Sequence, residues 1–481
     1  MKKEQFIKLG LILLVVIDLV WAWFQYSGRP IDGDLYAIVL PAPWYAQVLK
    51  DPLGYQALSD GMEYRGAGRS SAHFFMYYYF NHVPLLFQYV VSPVKSIYYS
   101  AALIQITSHL GVLFLLGAYV CGHLKVLRKD FLWTMVAATP FLQFYGLETR
   151  FGLVDKSITY TCFYILPVLL FLILLYPLYQ YALGRRQVGK VFSLGIWSGP
   201  WLLGMVILAF WSPQLQTLMV LVAGLGWISL WVNGLQEHTS LAKIVAYPLR
   251  GPYTQLSLLL VGTGLLAIYG YIVGLNNSEN VDSLPLVEAV IQAAKGIKYH
   301  FVEPWPIWVA LFFFLYHLYR LRGSDLSEAK RWRRLGVMLA IGVGIYMFLI
   351  PFGGYRPYRP FLYRFDLLIP VTLSWVFGLL LTGRLIIQGG LLGSHRQKYL
   401  ALAVVFGVVL YAHDLRIKKA NVCEKTQLYT LQNAQQDTVV LSDECTVLGW
   451  EIDTETYYTE KKVKLLQRWK ILDRQIVYYQ K

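Results

Sequence analysis

The sequence predicts an all-α polytopic membrane protein with about eleven transmembrane helices. Of its 481 residues, 56% are hydrophobic and 15% are charged, and the mean hydropathy is positive. Soluble globular proteins carry about 25% charged residues, so this composition is not that of a soluble protein. Many uninterrupted apolar stretches approach the roughly 20 residues that a helix needs to cross a bilayer.

The first apolar stretch, from Phe6 to Phe24, predicts a membrane helix that stays in the mature protein. It is longer than the apolar core of a signal peptide, and no small-residue cleavage motif follows it. Further spans are expected at about 98–121, 131–147, 158–181, 191–211, 215–235, 256–275, 307–321, 335–351, 367–387 and 399–411.

Basic residues predict the orientation of these helices, because Lys and Arg of short loops collect on the cytoplasmic side. With Lys2, Lys3 and Lys8 inside, the dense basic clusters at 125–129, 185–190, 320–334 and 384–398 all fall on the same side. The N-terminus is then cytoplasmic and the C-terminus extracytoplasmic. The formal charge of +15 is largely this topology signal, so we expect no nucleic-acid partner. Short loops without eukaryotic sorting signals fit a multi-pass protein of the bacterial cytoplasmic (inner) membrane.

The largest extracytoplasmic loop, residues 25–97, is predicted to contain helices that lie in the membrane interface. Its stretches "APWYAQVLKDPLGYQAL" and "HFFMYYYFNHVPLLFQYVV" are aromatic and amphipathic, which is typical of interfacial helices. The second stretch is long enough for a twelfth span. That interpretation is rejected, because it inverts every later loop and breaks the distribution of basic residues.

The chain is expected to divide into a transmembrane domain, residues 1–411, and a C-terminal extracytoplasmic domain, residues 412–481. In the second, "TVVLSDECTVLGWEI" is rich in strand-forming residues and "YTEKKVKLLQRWKIL" has the period of an amphipathic helix. This predicts a small α/β domain. Cys423 and Cys445 both lie in it, and an oxidising exterior permits a disulfide between them; two free thiols are the alternative.

Two carboxylates follow the first helix directly, Asp32 and Asp34 in "RPIDGDLYAIV". A solvated loop, a helix cap, a metal site and a general base are all compatible with such a pair. Asp34 is suited to cap the next helix through its side-chain oxygen. Gly33 allows a tight bend that brings the two like charges together and raises their proton affinity. The second extracytoplasmic loop, "GLETRFGLVDKS", adds Glu148 and Asp155.

Arginines on the extracytoplasmic side run against the expected distribution of basic residues. They lie in the late loop "GGYRPYRPFLYRFD", in "EYRGAGRSS" of the first loop and in the second loop: Arg356, Arg359, Arg364, Arg65, Arg69 and Arg150. The planar guanidinium donates two hydrogen bonds at once and is suited to phosphate. At membrane level these side chains are therefore candidates for binding a lipid phosphate. Interface anchors or ion-pair partners of the nearby acids are the alternative.

Asp18 lies within the first helix, where a charge is costly and needs a partner. We expect it to pair with His109 or with a hydroxyl group of a neighbouring helix. A structural role is therefore predicted for it.

Together, these features resemble the GT-C superfamily of membrane glycosyltransferases, which use lipid-phosphate-linked sugars as donors. The resemblance is architectural: a long first outside loop opening on an aspartate, an acidic second outside loop, about eleven helices and a small external C-terminal domain. It implies a general base at Asp32 or Asp34, and assistance to a metal or acceptor from acids of the second loop, Glu148 and Asp155. It further implies donor-phosphate binding by the late basic loop, at Arg356, Arg359 and Arg364.

Two stretches qualify this resemblance. The late loop reads "YRFDLLIP" where many members of the superfamily have an Arg-Tyr pair before a proline. The stretch "DGDLYAIVLPAPWYAQVLKDPLG" also looks like a group of bacterial membrane proteins, which implies kinship without a function. Neither stretch specifies the donor sugar.

The expected reaction is the inverting transfer of a sugar from a polyprenyl-phosphate donor, with Asp32 as the preferred general base and Asp34 as the alternative. Arginines or a divalent cation, Mg²⁺ or Mn²⁺, stabilise the leaving lipid phosphate. The acceptor, a glycan, a lipid or a protein, stays open. The alternatives are a lipid-linked glycan polymerase or ligase and a non-catalytic membrane scaffold. A transporter is disfavoured because the sequence shows no repeat in two halves.

Overall fold

The structure, a computed structural model, describes residues 2–142, 157–185, 198–237, 240–251, 253–280, 284–352, 359, 361–412 and 419–481. In these ranges the chain is mostly helical, and one two-stranded sheet forms near the C-terminus. The predicted class, an all-α membrane protein, is confirmed at this level.

The helices run in chain order from α1 to α19. The first seven are α1 (Lys2–Ser27), α2 (Leu35–Val39), α3 (Pro43–Lys50), α4 (Tyr55–Ser59), α5 (Ser70–Phe87), α6 (Pro93–Cys121) and α7 (Lys129–Ala138). The next seven are α8 (Ile158–Ala182), α9 (Ser198–Ala209), α10 (Pro213–Glu237), α11 (Leu241–Ala246), α12 (Tyr253–Leu275), α13 (Leu286–Ile297) and α14 (Trp305–Leu321). They are followed by α15 (Ser327–Leu349), α16 (Ile369–Gln388), α17 (Arg396–Ala412), α18 (Val422–Asn433) and α19 (Thr456–Arg468), with strands β1 (Thr438–Leu441) and β2 (Val477–Gln480).

Seven of the described helices are long and apolar enough to cross a membrane: α1, α6, α8, α10, α12, α15 and α16. An eighth crossing is formed if α13 and α14, which meet at an angle of 72°, count as one broken span. Three expected spans, at 131–147, 191–211 and 399–411, correspond in the described residues to the shorter helices α7, α9 and α17. A multi-pass membrane protein is confirmed, while the count of eleven stays a prediction. The amphipathic stretches of the first loop form helices α3 to α5, and α5 is not among the seven apolar spans.

Contacts between loops sort the ends of the helices into two faces. On one face, Arg185 donates to the carbonyl of Gly122 and pairs with Glu328 at 3.2 Å. Glu328 also pairs with Arg384 at 3.3 Å. These residues come from the basic clusters and their neighbours, so the loops that the sequence assigns to one side do lie together.

The opposite face gathers the loops that the sequence places outside. The backbone N–H of Tyr64, in the first loop, donates to the carbonyl of Asn276 at 3.2 Å. Gln214 donates to the carbonyl of Asp366 at 3.1 Å. The first loop thus contacts the loop after α12, and the first turn of α10 contacts the loop before α16.

Asp18 of α1 is buried and paired. Nε2 of His109 lies 2.9 Å from its carboxylate, and the hydroxyl of Tyr411 donates to it at 2.7 Å. The other ring nitrogen of His109 is hydrogen-bonded to Tyr26 at 3.0 Å. The network joins α1, α6 and α17 inside the bundle, and the expected pairing of Asp18 is confirmed.

Residues 419–481 fold into a small α/β unit, called here the C-terminal unit. Strands β1 and β2 pair in parallel, with α18 before the sheet and α19 between its strands. A disulfide joins Cys423 of α18 to Cys445, which decides between the two alternatives left by the sequence. The expected amphipathic helix is α19, whereas α18 and β2 have no counterpart in the sequence prediction.

The C-terminal unit packs onto the first loop. Asn421 donates to the carbonyls of Ser27 and Arg29, where the chain leaves α1. At the far end of the loop, the indole of Trp469 donates to the carbonyl of Phe80 in α5 at 2.7 Å. The unit therefore covers the first loop from its start to its last helix.

Glu424 is the central contact of this packing. Its buried carboxylate accepts hydrogen bonds from the backbone N–H of Ile31 at 3.0 Å and from the hydroxyl of Tyr98 at 2.8 Å. A third bond comes from the backbone N–H of Leu448 at 3.0 Å. One carboxylate thus joins the first loop, α6 and the C-terminal unit.

Replacing Glu424 with alanine is expected to release the C-terminal unit from the first loop. Three buried donors lose their acceptor, and each unsatisfied donor costs about 1–3 kcal/mol. Limited proteolysis of the protein in lipid nanodiscs will then show cleavage within residues 419–481 for Glu424→Ala. The control is Glu444→Ala, which removes an exposed carboxylate of the same unit and is expected to stay resistant. Equal resistance of both variants contradicts the role given to Glu424.

Candidate functional site

Asp32 lies at the start of α8, where the first loop meets the membrane helices. Its carboxylate accepts hydrogen bonds from the hydroxyl of Ser157 at 2.7 Å and from the backbone N–H and hydroxyl of Thr159 at 2.9 and 2.6 Å. The backbone N–H of Asp34 adds a fourth at 3.2 Å. Four donors match the lone-pair sites that a carboxylate has. The side chain is buried at the positive N-terminus of a long helix, so Asp32 anchors the loop to α8.

Gly33 lies in contact with the C-terminal unit. A Cβ added to it would be 2.5 Å from the backbone nitrogen of Trp450 and 2.6 Å from Cδ1 of its indole ring. The φ angle of Gly33 is not positive. Gly33 lies in a turn in which the backbone N–H of Leu35 donates to the carbonyl of Asp32 at 3.4 Å, as the sequence suggests, and the close approach of Trp450 leaves no room for a side chain there.

Asp34 is half-buried and precedes α2. It occupies the N-cap position, but its side chain makes no capping hydrogen bond, so the predicted capping role is wrong. Its negative charge interacts electrostatically with the hydroxyl groups of Tyr36, Tyr45 and Tyr160. The charge of Asp34 therefore influences tyrosines of the first loop and of α8, and the carboxylate of Asp32 is hydrogen-bonded to the start of α8.

The first turns of α8 bring aromatic side chains to the same place. Residues Thr161–Ile165 form a π-helical turn, a feature often found at functional sites. The indole of Trp211 donates to the carbonyl of Cys162 in this turn at 2.8 Å. The rings of Tyr160 and Tyr164 meet edge-to-face, with centroids 5.8 Å apart. Tyr164 is buried in this turn and Tyr160 is half-buried.

Arg364 of the late loop is partly buried next to this turn. Its guanidinium pairs with Asp366 at 2.6 Å and donates to the hydroxyl of Tyr164 at 3.2 Å. Its charge also acts on Tyr160, which Asp34 influences as well. The late basic loop and the acidic segment of the first loop therefore meet at the start of α8.

Arg69 approaches the same turn from the first loop. Its guanidinium carbon lies 6.0 Å from the centre of the Phe163 ring, and its charge acts on Tyr164 and Tyr45. The Nε atoms of Arg69 and Arg364 are both buried, and neither has a hydrogen-bond partner among the residues that the structure describes. Because buried donors normally have an acceptor, these two cations are suited to bind an anion.

Tyr45, His73 and Glu279 belong to the site although the sequence shows no signal for them. Tyr45 donates to Glu279 at 3.1 Å, and its ring lies 4.9 Å from that of His73. Burial raises the pKa of Tyr45, with the charges of Glu279 and Asp34 acting in the same direction, so the phenol keeps its proton. Burial and the charge of Arg69 lower the pKa of His73 to about 3, so the imidazole is neutral.

Of the remaining candidate residues, the structure describes two arginines, and four residues lie outside the described ranges. Arg65 is exposed, with its guanidinium carbon 5.6 Å from the centre of the Trp44 ring. Arg359 is half-buried in the late loop. The other candidates lie outside the described residues, so their roles stay predictions: Glu148, Arg150, Asp155 and Arg356.

One group in the described part of the chain has ligand types and spacing suited to a metal ion. Atoms of Cys121, His123 and Asp130 lie within 4.8 Å of one another, near the loop contacts of Arg185 and Glu328 on the opposite face. The backbone N–H of Lys125 donates to Nδ1 of His123. The ring proton is then on Nε2, which faces Asp130 at 3.2 Å. This hydrogen bond satisfies the imidazole without a metal, and the group is far from the candidate site.

The start of α8 therefore joins two acids, two arginines and several tyrosines from separate parts of the chain. Comparisons with known protein families and with curated proteins find no match for this chain.

Asp32→Asn is expected to destabilise the protein more than Asp34→Asn. The side-chain amide of an asparagine at position 32 has an NH2 donor. This donor then faces hydroxyl or N–H groups that donate to the carboxylate in the wild type. At least one buried donor then loses its acceptor, at a cost of about 1–3 kcal/mol. Thermal unfolding of both variants in the same detergent measures the difference. An equal shift of the unfolding midpoint in the two variants contradicts the anchoring role of Asp32.

The stability of the protein should depend on pH through Glu424. Burial raises the pKa of Glu424 to about 7, although its hydrogen bonds oppose this shift. The folded protein then binds this proton more tightly than the unfolded chain, where a glutamate titrates near 4.5. The resulting stabilisation is complete below about pH 4.5 and is lost as the pH rises to about 7.

The unfolding midpoint is therefore expected to fall between about pH 5 and about pH 8 in the wild type. In Glu424→Gln, which cannot ionise, it should fall less. The difference between the two plots of unfolding midpoint against pH isolates Glu424, because all other titrating groups are common to both proteins. A pH dependence that is the same in the variant shows that Glu424 does not titrate in this range.

Proposed function

We propose that this protein is a membrane glycosyltransferase that moves a sugar from a polyprenyl-phosphate donor to an acceptor on the extracytoplasmic face. The observation that carries the proposal is that three segments meet at the first turns of α8. Arg364 donates to the hydroxyl of Tyr164, and the guanidinium carbon of Arg69 lies 6.0 Å from the centre of the Phe163 ring. The segment that holds Asp34 is hydrogen-bonded to the helix through Asp32. A carboxylate near two partly buried guanidiniums suits a reaction in which one group accepts a proton and another stabilises a leaving phosphate.

Asp34 is better suited than Asp32 to be the general base. Asp32, the residue preferred from the sequence, already accepts four hydrogen bonds, and a further proton would break at least one of them. Asp34 is half-buried, and its charge influences tyrosines whose hydroxyls are suited to orient an acceptor. In this proposal Asp32 holds the segment in place and Asp34 receives the proton.

The reaction balances with these groups. The acceptor oxygen bonds to the anomeric carbon while the bond from that carbon to the phosphate oxygen breaks, which inverts the carbon. The hydroxyl proton passes to Asp34, and the bonding electrons leave with the lipid phosphate. Arg69 and Arg364 donate hydrogen bonds to the phosphate as its negative charge grows. A divalent cation would add to this stabilisation, and Glu148 and Asp155 are the residues predicted to hold it.

The proposed location is the cytoplasmic membrane of a bacterium, with eleven crossings and the N-terminus in the cytoplasm. Its support is the grouping of Arg185 and Arg384 on the face opposite the candidate site, because basic loops remain in the cytoplasm. The Cys423–Cys445 disulfide, in the unit that covers the first loop, fits an oxidising exterior. The donor lipid would then reach the site from the outer leaflet.

Release of labelled sugar from radiolabelled polyprenyl-phosphate hexoses and pentoses tests the proposal. With water as a slow acceptor, purified protein in proteoliposomes can be assayed without its natural acceptor. We expect Asp34→Asn to lower the rate about 10²-fold or more, as for the loss of a general base. Arg364→Lys keeps the charge but loses the planar donors, and should be at least about 10-fold slower. Asp60→Asn, exposed in the same loop, is the control and should keep the wild-type rate.

The outcomes separate the alternatives. Loss of release in Asp34→Asn, with an unchanged unfolding midpoint, supports transfer with this base. Persistent release in Asp34→Asn that disappears in Asp32→Asn returns the role of base to Asp32. If no donor is hydrolysed while farnesyl phosphate still raises the unfolding midpoint, the transferase proposal is contradicted. Transfer from a lipid-pyrophosphate glycan alone would identify a polymerase or ligase.

A further inference from the structure

Helix α13 presents an apolar stripe to the outside of the protein. Leu286, Val287 and Val290 are 74%, 72% and 60% exposed, and Ile291 and Ile297 are exposed as well. A contiguous apolar surface of this kind marks an interaction site. None of the contacts described for the candidate site uses it.

The other sides of α13 differ from this stripe. At about 100° per residue, the exposed charges of Glu288 and Lys295 lie roughly 140° around the helix from its centre. A third side packs on the late loop, since a Cβ added to Gly296 would be 3.0 Å from Cβ of Tyr363. One side thus contacts protein, one is apolar and one is charged.

The direction of α13 matches a helix that lies along a membrane surface. It meets α14 at 72°, so that α13 runs nearly parallel to the surface when α14 runs along the bilayer normal. The apolar stripe continues onto α14 through the exposed side chains of Val302, Trp305 and Trp308. Tryptophan is enriched where membrane helices cross the interface. The corner between the two helices is therefore expected at the level of the lipid headgroups.

We infer that α13 is an interfacial helix whose apolar stripe, formed by Leu286, Val287, Val290, Ile291 and Ile297, inserts into the hydrocarbon edge of the leaflet next to the candidate site. Membrane lipid is the partner that fits this arrangement. With the apolar side in the lipid, the charged side faces water and the third side stays packed on the late loop. This inference does not depend on the glycosyltransferase proposal.

The position of α13 determines the depth of the late loop. Besides the contact of Gly296 with Tyr363, the rings of Tyr299 and Phe361 stack with centroids 4.8 Å apart. Arg364 directly follows Tyr363 in the chain and lies three residues after Phe361. A helix inserted at the interface therefore holds Arg364 near the level at which lipid phosphates lie.

Two single substitutions, Val290→Cys and Glu288→Cys, test the inference after labelling with the fluorophore NBD. The labelled proteins are placed in liposomes that contain a lipid with a nitroxide near the top of its acyl chain. Cys121 and Cys162 are buried and Cys423 is bonded to Cys445, so wild-type protein labelled in parallel supplies a low background. Both replaced residues are exposed on one helix, and each variant is the other's control.

The label at position 290 is expected to emit at shorter wavelength and to be quenched by the nitroxide lipid several-fold more than the label at position 288. Aqueous iodide should quench position 288 preferentially. Equal quenching of both positions by the nitroxide lipid overturns the inference. Protection of position 290 from both quenchers also overturns it, because a protein surface, such as a second copy of the chain, then covers the stripe.

Discussion

The hydrogen bonds of the Asp32 carboxylate tie the first loop to the membrane helices, and the rest of the candidate site depends on them. Breaking this set would leave a buried charge without partners, which is among the costliest defects in a folded protein. The neighbouring residues rely on the same anchor. Ile31 binds the C-terminal unit, Gly33 packs against it, and the charge of Asp34 influences Tyr160 of α8. Four consecutive residues, 31–34, therefore contribute to the anchor on α8, to the packing of the C-terminal unit and to the candidate site.

Charge and burial distinguish the start of α8 from an ordinary membrane interface. Arg364 has a carboxylate partner in Asp366, whereas Arg69 lies near a histidine that stays neutral. Each guanidinium keeps a buried Nε–H donor without a partner in the described part of the chain. Electrostatic interactions strengthen where water is excluded, so the charges of these partly buried arginines act more strongly than they would on an open surface.

Features that are local in the chain can be predicted from the sequence, while contacts between distant segments cannot. Hydropathy predicts the long spans, and the distribution of Lys and Arg predicts which loops lie together. The pairing of Asp18 with His109 is predictable because a charge within a membrane helix requires a partner. No spacing rule, however, connects Glu424 to Ile31. The need for glycine at position 33 is visible only where the C-terminal unit approaches it.

The docking of the C-terminal unit also orders events during biosynthesis. Ile31 and Glu424 are 393 positions apart, so the first loop leaves the ribosome long before its partner exists. Until then, the donors of Ile31 and Tyr98 lack the acceptor that joins them in the folded protein. A nascent chain can therefore have its early membrane helices in place while its first loop is still uncovered. Covering of the first loop therefore has to wait until the C-terminal unit has been synthesised.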